Sequence, residues 1–457
     1  MGNSDMPNGQ LSNQTRDQFK SKLGFIMASA GSAVGLGSIW KFPYLVGENG
    51  GGAYVIVYLI AITIIGIPLM IAEFVIGRHS GKSAVEAYGT YCSKFKCVGF
   101  FSMIAVSILL SYYSIIGGWT IMYFYLTLTG KLTGLTPEQY GDMFGASSGD
   151  MVMAGIFATI FMILTIIVVM KGVSGGIEKV CSVLMPLLFL ILLVMTIVGL
   201  FLPGGINGVI WLFKPDFSKI TGDTVVDAVG QVFFTLSLGA GGMVTYASYL
   251  SKKENIPSAA AITTIFDTIV SILAGLAIFP AVFAFGLEPA AGPGLVFITL
   301  PNVFEQLPFG TLVAAVFYLL LLFAALPSSI NMLEVSVTYG VEKYHMTRPK
   351  AAIVLGIIIS IIGVPALLSF GPWSHITLFG KGFFDLFDYF VSNIALPVVG
   401  LAGSLIIGFN WPKGTVIREV TNEGQIQFKI KDTWYADVKY ISPVILTVIF
   451  LNAIGIV

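Results

Sequence analysis

Charge is what this chain has least of. Asp, Glu, Lys and Arg make up 11% of its 457 residues, against roughly 25% in soluble domains, too few to coat the water-facing surface of a chain this size. The 24 basic residues are balanced by 24 acidic ones, so no basic face is offered to nucleic acid. Cysteine is scarce as well: Cys92, Cys97 and Cys181 supply neither a disulfide framework nor four zinc ligands and are expected to be inert. His79, His345 and His375 fall at or near the ends of apolar runs, which leaves a membrane enzyme or hydrolase without an acid–histidine pair at depth. The N-terminal tail to Gln18 is polar and has no apolar h-region, so no cleaved signal peptide is expected.

What the chain has instead is apolar length. Hydrophobic residues are 56% of the total, and runs long enough to span a bilayer, about 20 residues each, fall near 22–46, 53–77, 98–129, 151–170, 180–202, 224–250, 258–286, 311–338, 350–370, 383–410 and 437–456. This predicts an all-α polytopic membrane protein with eleven transmembrane helices in the cell membrane. With the N-terminus cytoplasmic, 19 of the 24 lysines and arginines fall inside and Lys41, Lys131, Lys214, Lys219 and Lys381 outside, as the positive-inside rule requires; the C-terminus is then extracellular. The expected parts are a cytoplasmic tail (1–21), a ten-helix core (22–410), a cytoplasmic loop (411–435) and an eleventh helix (436–457). Two long external connections, 203–223 and 286–309, carry Trp211, Phe213, Phe217, Val296, Phe297 and Ile298 and are expected to pack over the outer vestibule.

Two spans contain helix breakers. Gly31, Gly35 and Gly37 interrupt the first, and the stretch Ser237 to Gly242 with three glycines interrupts the sixth. Glycine costs about 1 kcal/mol against alanine in a helix, and backbone freed in hydrocarbon is tolerated only where it lines a cavity or meets a ligand. The breaks occupy corresponding places in two successive five-span halves. Five is odd, so the second half enters from the opposite side, which predicts a five-plus-five inverted repeat with a site at the midplane, the pattern of secondary transporters.

The runs GSAVGLGSIWKFP (Gly31 to Pro43), ENGGGA (Glu48 to Ala53), GIPLMIAE (Gly66 to Glu73) and GQVFFTLSLG (Gly230 to Gly239) resemble the neurotransmitter:sodium symporters, in their bacterial eleven-span branch, and the resemblance covers nearly the whole chain. It implies that a substrate carboxylate meets the N–H groups of Leu36 and Gly37 and the hydroxyl of Tyr113, as freed N–H groups at a half-helix start suit an anion. The ammonium would meet carbonyls of Ala33, Phe234 and Thr235 and the Ser237 hydroxyl. Walls are assigned to Ser32, Leu109, Tyr113, Phe234, Ala240, Ser328, Asn331 and Met332. Monoamine carriers of the family hold an aspartate where this chain has Gly35, which favours an amino acid over an amine. Ala240 stands where a leucine-carrying member has phenylalanine, which favours a bulky hydrophobic or aromatic substrate.

The resemblance also assigns two Na+ sites. The first would use Ala33, Ser38, Thr235 and Asp267 with the substrate carboxylate; Ser38 replaces an asparagine. Asp267, with Ser271 one turn on, matches the acid that stands in for chloride, so no chloride requirement is expected. The second would use carbonyls of Gly31, Val34 and Ala324 with Ser328, and Pro327 replaces a threonine ligand there, so weaker binding is expected. Lys41 with Asp388 would form an outer gate, and Arg16 with Glu342 an inner one, near Ser248 and Tyr249 and with Phe19 for a usual tryptophan. Glu73 is expected to be a structural hydrogen-bonding group, and Glu334 keeps a proton-carrying role open. The leading reading is cation-coupled amino-acid symport by alternating access, with the lipid bilayer as its setting, no nucleic acid and no obligate protein partner. The alternative is the same fold with sodium coupling weakened or lost, as a uniporter, exchanger or proton-linked carrier. A passive channel is disfavoured because Tyr113 and Phe234 would close the site.

Overall fold

The computed structural model describes residues 17–286, 292–307, 309–453 and 456, and these fold as helices joined by short connections, with isolated bridges but no strand among the described residues. Among the described residues nine helices are long and apolar enough to cross a bilayer, and Lys22–Ala33 with Gly37–Glu48 adds a tenth as one span bent by 50°. The sixth expected span is divided into Gly222–Thr235 and Gly242–Ala247, each too short to cross alone. By length and apolarity the expected count of eleven is therefore not reached, because that span is broken nearer its end than its apolar run suggests.

Proline decides where several helices widen. Six five- or six-residue π-turns interrupt the spans, and five of them, ending at Lys41, Gly66, Ala395, Asn410 and Ile441, stand two residues before Pro43, Pro68, Pro397, Pro412 and Pro443. A proline lacks the N–H for the i→i−4 bond and its ring crowds the carbonyl one turn back. At four of these a π-turn makes room for that ring without ending the helix; before Pro412 the helix stops at Asn410, with Trp411 extended.

The two long connections pack only in part as expected. Val296 and Phe297 are buried, and the Phe297 ring lies 5.0 Å from Tyr123 and 5.8 Å from Trp119. Trp211 lies 4.8 Å from the ring of Phe279. Phe213 and Phe217, expected to pack, are 52% and 60% exposed instead. The helix Gly205–Phe213 turns Gly205, Gly208 and Leu212 inward, and at 3.6 residues per turn Phe213 then points away. The one-turn helix Phe217–Lys219 buries nothing.

The connection expected at 411–435 is not a free loop. It contains helices Lys413–Val420 and Lys431–Ala436, and Trp434 donates its indole N–H to the Pro68 carbonyl at 3.0 Å. Glu419 anchors the rest. Its carboxylate accepts from Arg78 Nε at 2.6 Å and Lys252 Nζ at 3.0 Å and lies 3.3 Å from His79 Nδ1. Arg78, buried, also reaches the Glu254 carbonyl and Asn422 Oδ1 at 2.6 and 2.8 Å. Burial alone would raise the Glu419 pKa, but the His79 hydrogen bond and the charges and bonds of Arg78 and Lys252 overcome it and hold the carboxyl at about 2.

A depressed carboxyl contributes stability that is fully present above its ordinary value of 4.5 and is lost as pH falls toward 2. Glu419→Gln leaves the Arg78 charge buried and uncompensated, so it should destabilise the protein by roughly 3–5 kcal/mol at pH 7. Thermal melts in detergent should show the native–variant gap, and the gap should narrow below about pH 4.5; equal melting temperatures at pH 7 would refute the anchoring role.

Candidate functional site

The first helix stops at Ala33, and the backbone turns through Val34 to Leu36 before resuming at Gly37. The groups freed there find partners on other spans: Leu36 N–H donates to Tyr113 Oη at 3.2 Å, and the Gly37 carbonyl accepts from Gln231 Nε2 at 2.9 Å. The second break runs from Leu236 to Gly241, with φ of +53° at Ser237, +73° at Gly239 and +72° at Gly241. At Gly239 glycine is required twice over, since a Cβ would lie 2.3 Å from the Leu396 carbonyl oxygen. Gly239 N–H donates to Glu73 Oε1 at 2.7 Å and its carbonyl accepts from Ser102 Oγ at 3.0 Å. The two breaks meet through Ser237 Oγ, which donates to the Ser32 carbonyl at 3.0 Å.

Between the breaks lies a cavity of about 10 Å³. Of the residues expected to contact substrate, Ser32, Ala33, Gly37, Leu109, Tyr113, Phe234, Ser237, Ser328 and Met332 line it, and Gly35 joins them. Leu36, Thr235 and Ala240 are not part of this lining and are buried, each at 1–2% exposure. Asn331 is also outside the lining and donates to Ser32 Oγ at 2.5 Å. The space is about that of one water, so an amino acid can enter only as side chains such as Phe234 withdraw.

Beside the cavity the oxygens expected at the first cation site come together. Ser38 Oγ donates to Asp267 Oδ1 at 2.6 Å and lies 3.5 Å from the Ala33 carbonyl. Tyr58 Oη donates to Asp267 Oδ2 at 3.5 Å and lies 3.4 Å from Thr235 Oγ1. Asp267 is wholly buried, and Ser271 Oγ, also buried, has no hydrogen-bond partner among the described residues. Carboxylate, hydroxyl and carbonyl oxygens are the donors a hard cation takes. Sequence reasoning missed Tyr58 and Gln231: an aromatic and an amide within apolar runs look like packing residues.

The second group of oxygens is arranged differently. Ser328 Oγ donates toward the carbonyls of Gly31 and Ser32 at 3.3 and 3.1 Å, and Val34 and Ala324 are buried. Pro327 packs so closely that a Cβ on Gly31 would lie 2.9 Å from its Cβ. Proline adds bulk here and no oxygen.

The outer charges do not pair as expected. Lys41 Nζ lies over the Phe234 ring, 4.6 Å from its centre, while Asp388 accepts from Tyr112 Oη and Ser392 Oγ, both at 2.9 Å. Among the described residues no ion pair joins the two. A lysine point charge has no fork to hold a carboxylate and is stabilised on an aromatic face. Of the inner pair, Arg16 lies outside the described residues, and Glu342 accepts from Ser83 N–H at 2.8 Å. Phe19 is buried, its ring 5.3 Å from Phe25 and 5.8 Å from Tyr246. Glu334 accepts from Tyr249 Oη at 2.7 Å and from Arg348. Its carboxylate has a fixed cationic partner.

Comparison with known proteins agrees with this architecture. The model of the sodium:neurotransmitter symporter family matches residues 16–139 and 145–456. An uncharacterized sodium-dependent transporter of Bacillus subtilis (strain 168), YhdH, is 42% identical over 98% of this chain and 99% of its own. A second uncharacterized sodium-dependent transporter, from Haemophilus influenzae, is 40% identical over 96% and 98%. The crystal structure of MhsT in complex with L-phenylalanine superposes with a TM-score of 0.89 at 40% identity, covering 96% of this chain and all of that one. Broken helices at one buried site, an oxygen cluster beside it and a match along nearly the whole length have one explanation: the chain belongs to the sodium:neurotransmitter symporter family and is a membrane transporter, not an enzyme.

Proposed function

We propose that this sodium-coupled transporter carries a hydrophobic amino acid, aromatic ones foremost, without a chloride requirement, and that its N-terminus is cytoplasmic. The observation that carries the reading is the meeting of two opened helices at one cavity with a buried acid and three hydroxyls alongside. An incoming carboxylate would replace the Leu36–Tyr113 hydrogen bond by taking both donors, at the positive start of a half-helix. The ammonium would take the carbonyls and the Ser237 hydroxyl at the opposite polarity. A cation on Asp267, Ser38, Thr235 and the Ala33 carbonyl would lie against that carboxylate, so ion and substrate each favour the other's binding; this is coupling in the thermodynamic sense. Opening to one side and then the other around this site completes transport.

The apolar walls Leu109, Phe234 and Met332 and the small Ala240 behind them support a large apolar side chain, as does a relative solved with L-phenylalanine. Gly35 argues for a substrate that brings its own carboxylate: a Cβ there would lie 2.5 Å from Ser328 Oγ and 3.0 Å from Tyr113 Oη. Pro327 supports a second cation site weaker than the first. Uptake into proteoliposomes with sodium, potassium or choline outside tests the whole reading; sodium-independent uptake, or glycine preferred over tryptophan, would sink it.

Three variants probe the parts. Tyr113→Phe should weaken tryptophan binding by roughly 1.5–3 kcal/mol, the worth of a hydrogen bond to a charged group, and should leave decarboxylated tryptamine unaffected; equal losses for both ligands would remove the carboxylate from this hydroxyl. Gly35→Ala should abolish equilibrium binding while the variant still melts cooperatively, at a lower temperature than the native protein, because the methyl intrudes on Ser328 and Tyr113; native-like binding would place the substrate elsewhere. Asp267→Asn removes the fixed charge and leaves the hydroxyls of Tyr58, Thr235 and Ser271 to receive an anion, so sodium-driven uptake should become dependent on chloride. If gluconate and chloride support the variant equally, Asp267 does not serve as the counter-charge.

A further inference from the structure

One helix outside the central site turns its apolar side outward. Gly205–Phe213, which follows the span Val173–Leu200, holds no charged residue, and its Ile206, Ile210 and Phe213 are 56%, 54% and 52% exposed. Four and three residues apart, they form one stripe. The other side is pressed onto the span Ile256–Ala284: a Cβ on Gly208 would lie 2.5 Å from the Phe279 carbonyl oxygen, and one on Gly275 would lie 3.2 Å from Leu212 Cδ2.

Those two contacts set the depth of the helix. Gly208 to Leu212 advances four residues while Phe279 to Gly275 goes back four, so the helix runs antiparallel beside the end of that span and not beyond it. The span has 29 residues, about 43 Å at 1.5 Å per residue; centred on a hydrocarbon core about 30 Å thick, it overhangs by about 7 Å at each end. Gly275 stands nine residues before Ala284, about 13 Å, which puts Leu212 about 7 Å inside the hydrocarbon.

The faces that meet lipid on neighbouring spans lead onto this stripe. On Ile256–Ala284 the exposed large apolar residues are Ile262, Ile265 and Ile269, and none is exposed from Val270 to Val282, the stretch on which Gly205–Phe213 lies. The connecting helix has taken the place of lipid there and shows its own apolar side instead. On Val173–Leu200 the exposed side continues through Ile197 and Leu200 to Phe201, four residues before Gly205.

We infer that the Ile206–Ile210–Phe213 face lies in the hydrocarbon of the leaflet at the Ala284 end, the outer one on the orientation proposed above, and moors the two half-helices on that side of the transport site to the bilayer. The first attachment is direct. Gly51, just past the half-helix Gly37–Glu48, bridges to Pro215, and a Cβ on Gly52 would lie 2.9 Å from the Phe213 carbonyl carbon. The second runs along the chain, which reaches the half-helix Gly222–Thr235 nine residues after Phe213. Lipid contact at the stripe thus bears on both pieces that open onto the cavity from this side.

The test is spin labelling of the full chain in phosphatidylcholine vesicles. Cys92, Cys97 and Cys181 are replaced by alanine, and Ile206→Cys, Ile210→Cys and Phe213→Cys are labelled one at a time, with Leu190→Cys as a lipid-facing reference and Lys219→Cys as a water-facing one. A cooperative melt shows that each variant is folded. Power saturation compares oxygen, which concentrates in hydrocarbon, with a nickel chelate, which stays in water. At the three stripe positions the ratio of oxygen to nickel accessibility should exceed that at Lys219→Cys several-fold and lie near that at Leu190→Cys. Nickel accessibility equal to that at Lys219→Cys would put the stripe in water, and low accessibility to both reagents would put it against protein, such as a second copy; either overturns the inference. Mooring is read from a label at Glu48→Cys, whose spectrum should narrow when Ile206, Ile210 and Phe213 are all changed to serine, or, if that variant does not fold, should narrow less with Ile210→Ser alone. A spectrum that neither change alters would overturn the mooring. Both readings are made without substrate or sodium, so they stand or fall apart from the proposed function.

Discussion

Backbone hydrogen bonding at membrane depth is the constraint from which the rest follows. Unpaired N–H and C=O groups cost several kcal/mol each in hydrocarbon, and this chain opens two helices there. Backbone groups at and beside the breaks are met by side chains: Gln231 on the Gly37 carbonyl, Glu73 on the Gly239 N–H, Ser102 on the Gly239 carbonyl. These three come from three different spans. Glu73 and Ser102 sit on continuous spans and Gln231 on the first piece of the broken sixth, so the breaks are held by intact helices and by each other, which is why a small residue swap at Gly239 or Ser102 would be felt at the transport site and not only locally.

The same constraint divides the oxygens into two kinds. Ser237 and Ser328 both reach the Ser32 carbonyl, so they brace the breaks against each other, and they can turn to a ligand only by giving that up. Asp267, Ser38 and Tyr58 bond among themselves; a cation entering there displaces hydrogen bonds between side chains and leaves the main chain paired. At Ser328, ion entry and helix geometry are tied together, and Pro327 narrows the choice of donors further.

How much of this was legible in the sequence depended on how residue type expresses backbone geometry. Gly31, Gly35, Gly37 and Gly239 announced both breaks because glycine in a long apolar run has a known cost and few uses. The bend at the first break was legible for that reason. The short inner piece Gly242–Ala247 was not, because hydropathy continues past the point where the helix ends. Proline positions were visible, yet the π-turns before Pro43, Pro68, Pro397, Pro412 and Pro443 need the three-dimensional ladder to be seen. Lys41 illustrates another limit: the family resemblance paired it with Asp388, and the face of Phe234, an apolar residue already given another role, took it instead. Phe213 was misjudged because one residue of helical phase, not its hydrophobicity, decides which way it points.

The grip on Arg78 also sets an order of events in biosynthesis. Its guanidinium is buried at the end of an early span, and Glu419 lies 341 residues later in the chain; the Pro68 carbonyl waits for Trp434 across 366. At roughly 5–20 residues per second, the ribosome needs about twenty seconds to over a minute to deliver those partners. Until then the second span lacks the acid that balances Arg78 and the indole that caps the Pro68 carbonyl, and only the late segment carrying Glu419, Asn422 and Trp434 supplies them. The span that holds Glu73 against the Gly239 break is thus among the first inserted and the last to be locked.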